Sequence, residues 1–389
     1  MLGTALSGTA VSGGRRVKRN SSKPPRSTAP SPDLTRYGIT FDRINRVAPD
    51  EDIDGQEGTL NLLEPGVHEL HEHKRLIGND RVGIVGEAGA RETTIRGPVD
   101  KWFVPFVARS DDGFLLEDVT FDQRQDNTSG VAIKMFVGDG LEVHDIRFRG
   151  RVPNERTSPE AAEGYLMTPH ITNPDGMGNL VGIDSRARGI VGDYPVGNGH
   201  GYIGPAHRGT MWIRDNHIEG SAMHSYYASR SRGTVHVRGG TFKNNVNTQL
   251  RLSRDSTVKG ASIVIDAPQS RFRAPNNEPQ NVRGIRWERA KWAGSSGGLI
   301  ENCRLVCRSP VHGQGLVAVD GSAGELTIRD CEFHNTTDDY RNIAVEAVGK
   351  NPRGIEPPGK DWVHVENCTL SGGGGRPLVT DQRGSVEVS

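Results

Sequence analysis

The sequence is poor in the residues that build a conventional globular core. Of 389 residues only 34% are hydrophobic and 6% aromatic. That length would ordinarily divide into two or three domains. The apolar share is low for a large α/β enzyme and suits strands that bury one face between many turns. Net charge is missing too, because 48 Lys and Arg balance 48 Asp and Glu. No global field therefore points to nucleic acid or to an anionic membrane surface. No run of 18 apolar residues occurs, which excludes a helical membrane span. Lysine is scarce, 10 against 38 arginines. Cysteine is scarcer, with four in the chain, and three of them share one frame: Asn302-Cys303, Asp330-Cys331 and Asn367-Cys368.

What is abundant is glycine, 50 residues, with 22 prolines to punctuate the chain. The cysteine frame also generalises to Asp, Asn or Gly, two residues, then a large apolar residue. It occurs as Asp118-Val-Thr-Phe121, Asp145-Ile-Arg-Phe148, Asp215-Asn-His-Ile218 and Gly239-Gly-Thr-Phe242. It returns as Gly260-Ala-Ser-Ile263, Asn302-Cys-Arg-Leu305, Asp330-Cys-Glu-Phe333 and Asn367-Cys-Thr-Leu370. Successive anchors lie 27, 70, 24, 21, 42, 28 and 37 residues apart. Most intervals are one unit; 42 is expected to be two, and 70 two or three with an insertion. A short alternating strand precedes each anchor, as in Gly233-Thr-Val-His-Val-Arg238. Strand, tight bend, strand and turn at this period make one rung of a right-handed parallel β-helix. A helical solenoid would need apolar residues at 3.6 spacing. A barrel or sandwich would not reuse one bend at a fixed period. The expected fold class is an all-β parallel β-helix solenoid.

In such a solenoid equivalent positions stack ~4.8 Å apart. Cys303, Cys331 and Cys368 then form a column whose Cβ vectors run parallel, which opposes disulfide geometry. Zinc would need ligands converging from several directions. Buried free thiols acting as small apolar groups are expected. The Asn and Asp anchors suit a bend, since both tolerate left-handed backbone.

Residues 1–35 are set apart. Met1-Leu-Gly-Thr-Ala-Leu-Ser-Gly-Thr-Ala10 reads as the apolar part of an export signal or as a disordered tail. A basic, Ser- and Pro-rich leader follows. Residues 36–389 are expected to be the solenoid, with an insertion at 151–208. Ile39, Phe41, Ile44 and Val47 fall loosely on one helical face, predicting an N-terminal helical cap. The acidic stretch from Asp50 to Glu57 reads as a solvated loop. Asn20, Asn127, Asn335 and Asn367 fit the glycosylation sequon, which matters only in an exported chain.

The stretches "GTLNLLEPGVHEL" (58–70) and "VGIVGEAGARETTIRG" (82–97) resemble the opening rungs of the pectate-lyase-like superfamily, and the chain from 58 to its end is similar to that superfamily. By "HRGTMWIRDNHIEG" (207–220) and "SRSRGTVHVRGGTFKNN" (229–245) it is similar, more narrowly, to secreted β-helix proteins of haloarchaea. The resemblance implies an extracellular or cell-surface protein, an acidic polysaccharide as partner and lyase-type β-elimination. It also implies calcium in those members whose Asp clusters hold the metal. The matches are partial. Gly199-His200-Gly201 fits one element of the polygalacturonase set, and Asp111-Asp112 and Asp338-Asp339 lie rungs away from it. Metal ligands are assigned to no residue.

Counting from the anchors picks out a site. Tyr227 and Arg251 lie twelve residues after theirs, and Arg230 and Arg254 fifteen. Arg271 and Arg273 are expected on the next rung. An outward row of guanidiniums suits the carboxylates of acidic sugars; the plainer alternative is a solvated row beside Asp255. The end of the insertion brings His200, His207, Tyr194 and Tyr202. His200, His207 or Tyr227 is the expected base, and Tyr194 and Tyr202 are expected to contact sugar rings. A second function class fits the same row: a non-catalytic surface or spike adhesin that binds glycans, as a monomer or a side-by-side trimer.

Overall fold

The computed structural model describes residues 35–98, 104–124, 133–152, 165–189, 199–268, 279–289, 297–347 and 362–389. Leu34–Ser389 forms one unit, and only that unit is treated below.

One rung shows the pattern. The chain runs through Thr210–Arg214, bends at Asp215-Asn216, continues through His217–Glu219, turns, and enters His224–Tyr227. It then climbs into Thr234–Arg238, which pairs in parallel with Thr210–Arg214. Each rung thus contributes a strand to three parallel faces. Strands such as His224–Tyr227 build the first, strands such as Thr234–Arg238 the second, and strands such as Thr241–Lys243 the third. The third face is an 11-stranded sheet from Gly66–Glu69 to Thr369–Ser371. At ~4.8 Å per strand that is roughly 50 Å of solenoid. Two long strands, Phe106–Glu117 and Ile133–His144, run round the corner between the first and second faces.

The repeated frame is the bend from the second face to the third. Asp118, Asp145, Asp215, Asn302, Asp330 and Asn367 have φ between +47° and +57°. Glycine fills the column elsewhere, at Gly182, Gly239 and Gly260 with φ of +64° to +66°. Left-handed backbone is the reason those residue types recur. At Gly239 there is a second reason, since a Cβ there would come 2.2 Å from the Asp215 carboxylate.

The residue three places past each of these bend positions, as far as Phe333, points inward; it is large and apolar at all but Ser185. Phe121, Phe148, Ser185, Ile218, Phe242, Ile263, Leu305 and Phe333 follow one another in register, and all are buried. Phe121 and Phe148 stack at 5.2 Å between centroids. Dispersion and burial along such columns hold the rungs together. The cysteines line up as well. Cys303 and Cys331 are buried and Cys368 half-buried, all as free thiols. Each donates to the carbonyl two residues before it, at 3.1–3.3 Å.

Several expectations are corrected. The described residues contain no helix. Where a helical cap was expected, Thr35–Arg36 and Ile39–Thr40 form a hairpin, and Arg43–Val47 pairs with Thr59–Leu63. Gly38, at φ +85°, and the alternation of buried Ile39 and Phe41 with exposed Thr40 and Asp42 favour strands over a helix. The segment set aside as an insertion contains regular rung strands, Tyr165–Ile171, Met177–Val181, Asp184–Gly189 and Gly199–Tyr202. Its bend is Gly182, so the interval of 70 is two long units. The interval of 42 is a single rung, because Thr257–Lys259 pairs directly with Leu299–Glu301. Asn335 is buried and bonded to the Tyr340 carbonyl and to Asn342, so it is closed to glycosylation. Asn20 and Asn127 lie outside the described residues.

Candidate functional site

On the first face the strands bend in a way that alternation alone does not give. Ser225 and Tyr226 both face the interior: Asn245 Nδ2 donates to Ser225 Oγ at 2.7 Å, and Asn216 Nδ2 to the Tyr226 hydroxyl at 2.9 Å. The flanking residues His224 and Tyr227 therefore share the outer side, and their rings meet at 4.9 Å. The next rung repeats this, with Gln249 bonded to Asn245 inside and Leu250 buried. Two consecutive inward residues turn the outer side chains toward one another.

The resulting outer column runs Tyr202, Tyr227, Arg251 and Arg286 on four successive rungs. Tyr165 and Tyr202 stack at 5.3 Å, and Tyr202 meets Tyr227 edge-on at 5.4 Å. The Arg251 guanidinium stands over the Tyr227 ring at 4.2 Å and that of Arg230 at 5.2 Å. Arg230 also donates a hydrogen bond to the Tyr202 hydroxyl. Cations over an aromatic face are attracted by its quadrupole.

Two residues beyond Arg286, on the same side of the strand, is Glu288. It is 3% exposed. Arg251 Nη2 reaches it at 2.7 Å and Arg286 Nε at 2.8 Å, and Ser229 donates its hydroxyl. Burial pushes the Glu288 carboxyl up, but Arg251, Arg286 and Ser229 together outweigh it and hold the group down at about 2. Arg286 also pairs with Asp320 at 2.5 Å. Arg283 has no carboxylate within 4.0 Å among the described residues. It donates to Gln314 and, at 3.0 Å, to Asn247. Burial, then the neighbouring Arg286 and Arg251, lower it to about 9. Glu346, at the rim, is pushed up by burial.

His224 is fully buried and neither ring nitrogen has a hydrogen-bond partner. Burial, then the charges of Arg251 and Arg283, keep its imidazole well below its ordinary value, so it stays neutral. The neutral imidazole packs edge-on against the Tyr227 ring beside the guanidiniums and makes no hydrogen bond to the phenol.

The sequence-predicted residues separate cleanly. Tyr202, Tyr227, Arg230 and Arg251 come together. Tyr194, Arg271 and Arg273 lie outside the described residues, and the next cation in register after Arg251 is Arg286. Arg254 sits in the turn toward the second face, donating to the Arg232 carbonyl and lying 3.6 Å from Asp255. His200 is not on an overhanging loop: it is a core residue, edge-on to Phe148 and Tyr226 at 5.4 and 5.3 Å, and burial lowers it to about 3. His207 is also buried, accepting from the Ile171 amide at 3.0 Å and donating to the Thr234 carbonyl at 3.1 Å. Of the arginines expected in a row, Arg251 is buried against Glu288, while Arg254 lies beside Asp255 as in the plainer alternative. His224, Arg283, Arg286, Glu288 and Tyr165 were missed. Arg286 and Glu288 alternate outward on one strand, a legible signal; the loop before them hid their rung.

Asp50-Glu-Asp-Ile-Asp-Gly55 has the Asp-x-Asp-x-Asp-Gly spacing of a calcium loop, beyond the solvated loop first read there. Asp52 pairs with Lys74 at 2.9 Å and Asp54 accepts from the Gln56 amide at 2.9 Å. Among the described residues no three His, Cys, Asp or Glu converge on a metal position.

No family profile matches the sequence and no curated protein matches it. Solved structures similar to it include the A-module of mannuronan C-5 epimerase AlgE4 from Azotobacter vinelandii. It is 13% identical, with 85% of this chain and 91% of that one covered and a TM-score of 0.43. The AlgE6 A-module from the same organism is 11% identical, with 85% and 89% covered and a TM-score of 0.39. The catalytic domain of a GH87 alpha-1,3-glucanase in complex with nigerose is 10% identical, with 85% and 63% covered and a TM-score of 0.33. The likeness to haloarchaeal proteins finds no support among these matches. The β-helix itself rests on the strand register.

Proposed function

We propose that the first face binds an acidic polysaccharide and removes the proton α to a uronate carboxylate, leading to β-elimination. One observation carries this reading: Arg230 and Arg251 converge on Tyr227 while Arg230 also holds Tyr202. Tyr202 and Arg230 are half-buried and accessible from outside, so an approaching chain meets them first.

The chemistry needs a cation for the carboxylate, a base for the C5 proton and an acid for the leaving oxygen. Arg230 is the cation nearest solvent. Tyr227 as phenolate, its own proton lost to solvent before the chain binds, takes the C5 proton, and the two guanidiniums over the ring favour that charge. The C5–H electron pair moves into the carboxylate, then forms the C4=C5 double bond as the C4–O bond breaks. Tyr202 donates its proton to the departing oxygen. Polymers of this kind lie outside cells, so this reading goes with an exported protein.

The test is incubation of the full chain with polymannuronate, polyguluronate and polygalacturonate. Absorbance at 235 nm reads elimination, and deuterium uptake at C5 in D2O reads proton abstraction. Tyr227→Phe should abolish both signals, and Arg230→Ala should raise KM. Absence of both signals on every polymer tested rejects the catalytic reading. The Arg251–Glu288–Arg286 ion cluster, satisfied without substrate, favours the second reading, an adhesin. That reading predicts glycan binding with neither signal.

A further inference from the structure

The second face carries a different arrangement of aromatic and cationic groups. Trp212 and His236 are adjacent in register, with ring centroids 4.5 Å apart. Beside them runs a column of Arg214, Arg238 and Lys259 on consecutive rungs. The guanidiniums of Arg214 and Arg238 stand over the Trp212 ring at 4.9 and 4.6 Å. Trp212, His236, Arg214 and Lys259 are half-buried and Arg238 is exposed.

The counter-charge differs from that of the first face. Arg251 and Arg286 pack round Glu288. Arg214 and Arg238 have no carboxylate within 4.0 Å among the described residues, and Arg214 donates instead to Asn179 at 2.7 Å. Lys259 does pair, with Glu301 at 2.8 Å. Two aligned like charges without a local anion repel one another. They are held over an aromatic platform, and Arg238 is exposed to solvent.

We infer that Trp212, Arg214 and Arg238 form a second, non-catalytic binding site for an anionic polysaccharide. The guanidiniums would bind carboxylates or sulfates as forks, and the rung spacing of ~4.8 Å is close to the length of one sugar unit in an extended chain. The cationic stretch is short. Past Lys259 the column turns to Glu301, Arg329 and Glu366, so the face lacks the long basic track that nucleic acid requires. The inference shares only its polymer class with the proposed first-face chemistry. A chain held on the second face would remain attached while the first face works on it.

The experiment uses the full chain in affinity electrophoresis with polygalacturonate, polymannuronate, a sulfated glycan and single-stranded RNA as probes. The double variant Arg214→Ala/Arg238→Ala and the single variant Trp212→Ala should weaken glycan binding by about tenfold or more. Deuterium uptake into short oligouronates should stay unchanged. Arg238→Lys, which keeps the charge but not the fork, should lose less, and circular dichroism separates these losses from misfolding. Tyr227→Phe should keep binding. Unchanged glycan affinity in the double variant, or a preference for RNA, overturns the inference. If Tyr227→Phe and Arg230→Ala abolish glycan binding while the second-face variants keep it, the first face is the sole site. Binding that depends on the second face, with no deuterium uptake anywhere, would sustain this inference and reject the catalytic one.

Discussion

Arg251 touches two partners at once: the ring of Tyr227 on the preceding rung, 4.2 Å from its guanidinium, and the carboxylate of Glu288 on the following rung, 2.7 Å from Nη2. The aromatic column and the ion cluster are therefore one structure. The buried carboxylate fixes the guanidinium, which in turn covers the phenol. An ion pair so deep owes its persistence to geometry and to the additional donors from Ser229 and Arg286, since desolvation offsets most of the Coulombic attraction.

Replacing Glu288 by Gln should be costly for that reason. It leaves Arg251 and Arg286 without their shared anion, and breaking a buried pair costs about 3–5 kcal/mol. Chemical denaturation should show a large fall in midpoint with an unchanged m-value. A loss within experimental error would mean that solvent already screens the cluster.

Stability should decline as pH falls from 7 toward 4. Burial holds His200 at about 3 and His207 at about 4, and burial, then the neighbouring His207, holds His170 at about 4. Each lies below the ordinary value, so in this interval the unfolded chain binds protons that the folded chain refuses. Their contribution is complete above about pH 6.5 and lost as pH drops toward the folded values. Glu288, held at about 2, adds to the loss below the ordinary carboxylate range. Thermal unfolding from pH 8 to pH 4 should give a falling Tm; a flat profile contradicts the burial of these rings.

His200→Leu should leave Tm unchanged or raise it. The imidazole is fully buried with both nitrogens unpartnered, and such polar groups cost stability in an apolar site. Turnover on uronate polymers should not change. A loss of turnover in a folded His200→Leu protein would restore His200 to the candidate bases.

The thiols should be almost silent in the native protein. Cys303, Cys307 and Cys331 are buried and Cys368 is half-buried. Ellman's reagent should react with at most Cys368 before denaturation and with all four afterwards. Burial pushes the Cys307 thiol up to about 11, further slowing its reaction. Rapid labelling of several thiols in the native state would rule out the stacked column.

Much of the fold was legible because a solenoid writes its geometry into a local repeat. Asp215, Asn302 and Asp330 could be recognised as one bend because left-handed backbone restricts the residue type at each. Tyr227 and Arg251 could be placed side by side because the 24-residue rungs between Asp215, Gly239 and their partners keep equal length. Counting failed at Arg271 and Arg273, since the next rung is longer and shifts the register to Arg286. His200 was misplaced for another reason: 151–208 read as an insertion, and the rung strand Gly199–Tyr202 within it went unrecognised.

By itself the sequence determined the repeat, the bends and the inward columns, because these depend on a few neighbouring residues and are copied from rung to rung. Only the tertiary structure decided which arginines share a carboxylate, that His224 rather than His200 lies against Tyr227, and that Trp212 sits under two guanidiniums with no carboxylate within 4.0 Å of them among the described residues. Those contacts join residues on different rungs, separated by loops of unequal length, and loop length carries no local pattern from which the pairing could be read.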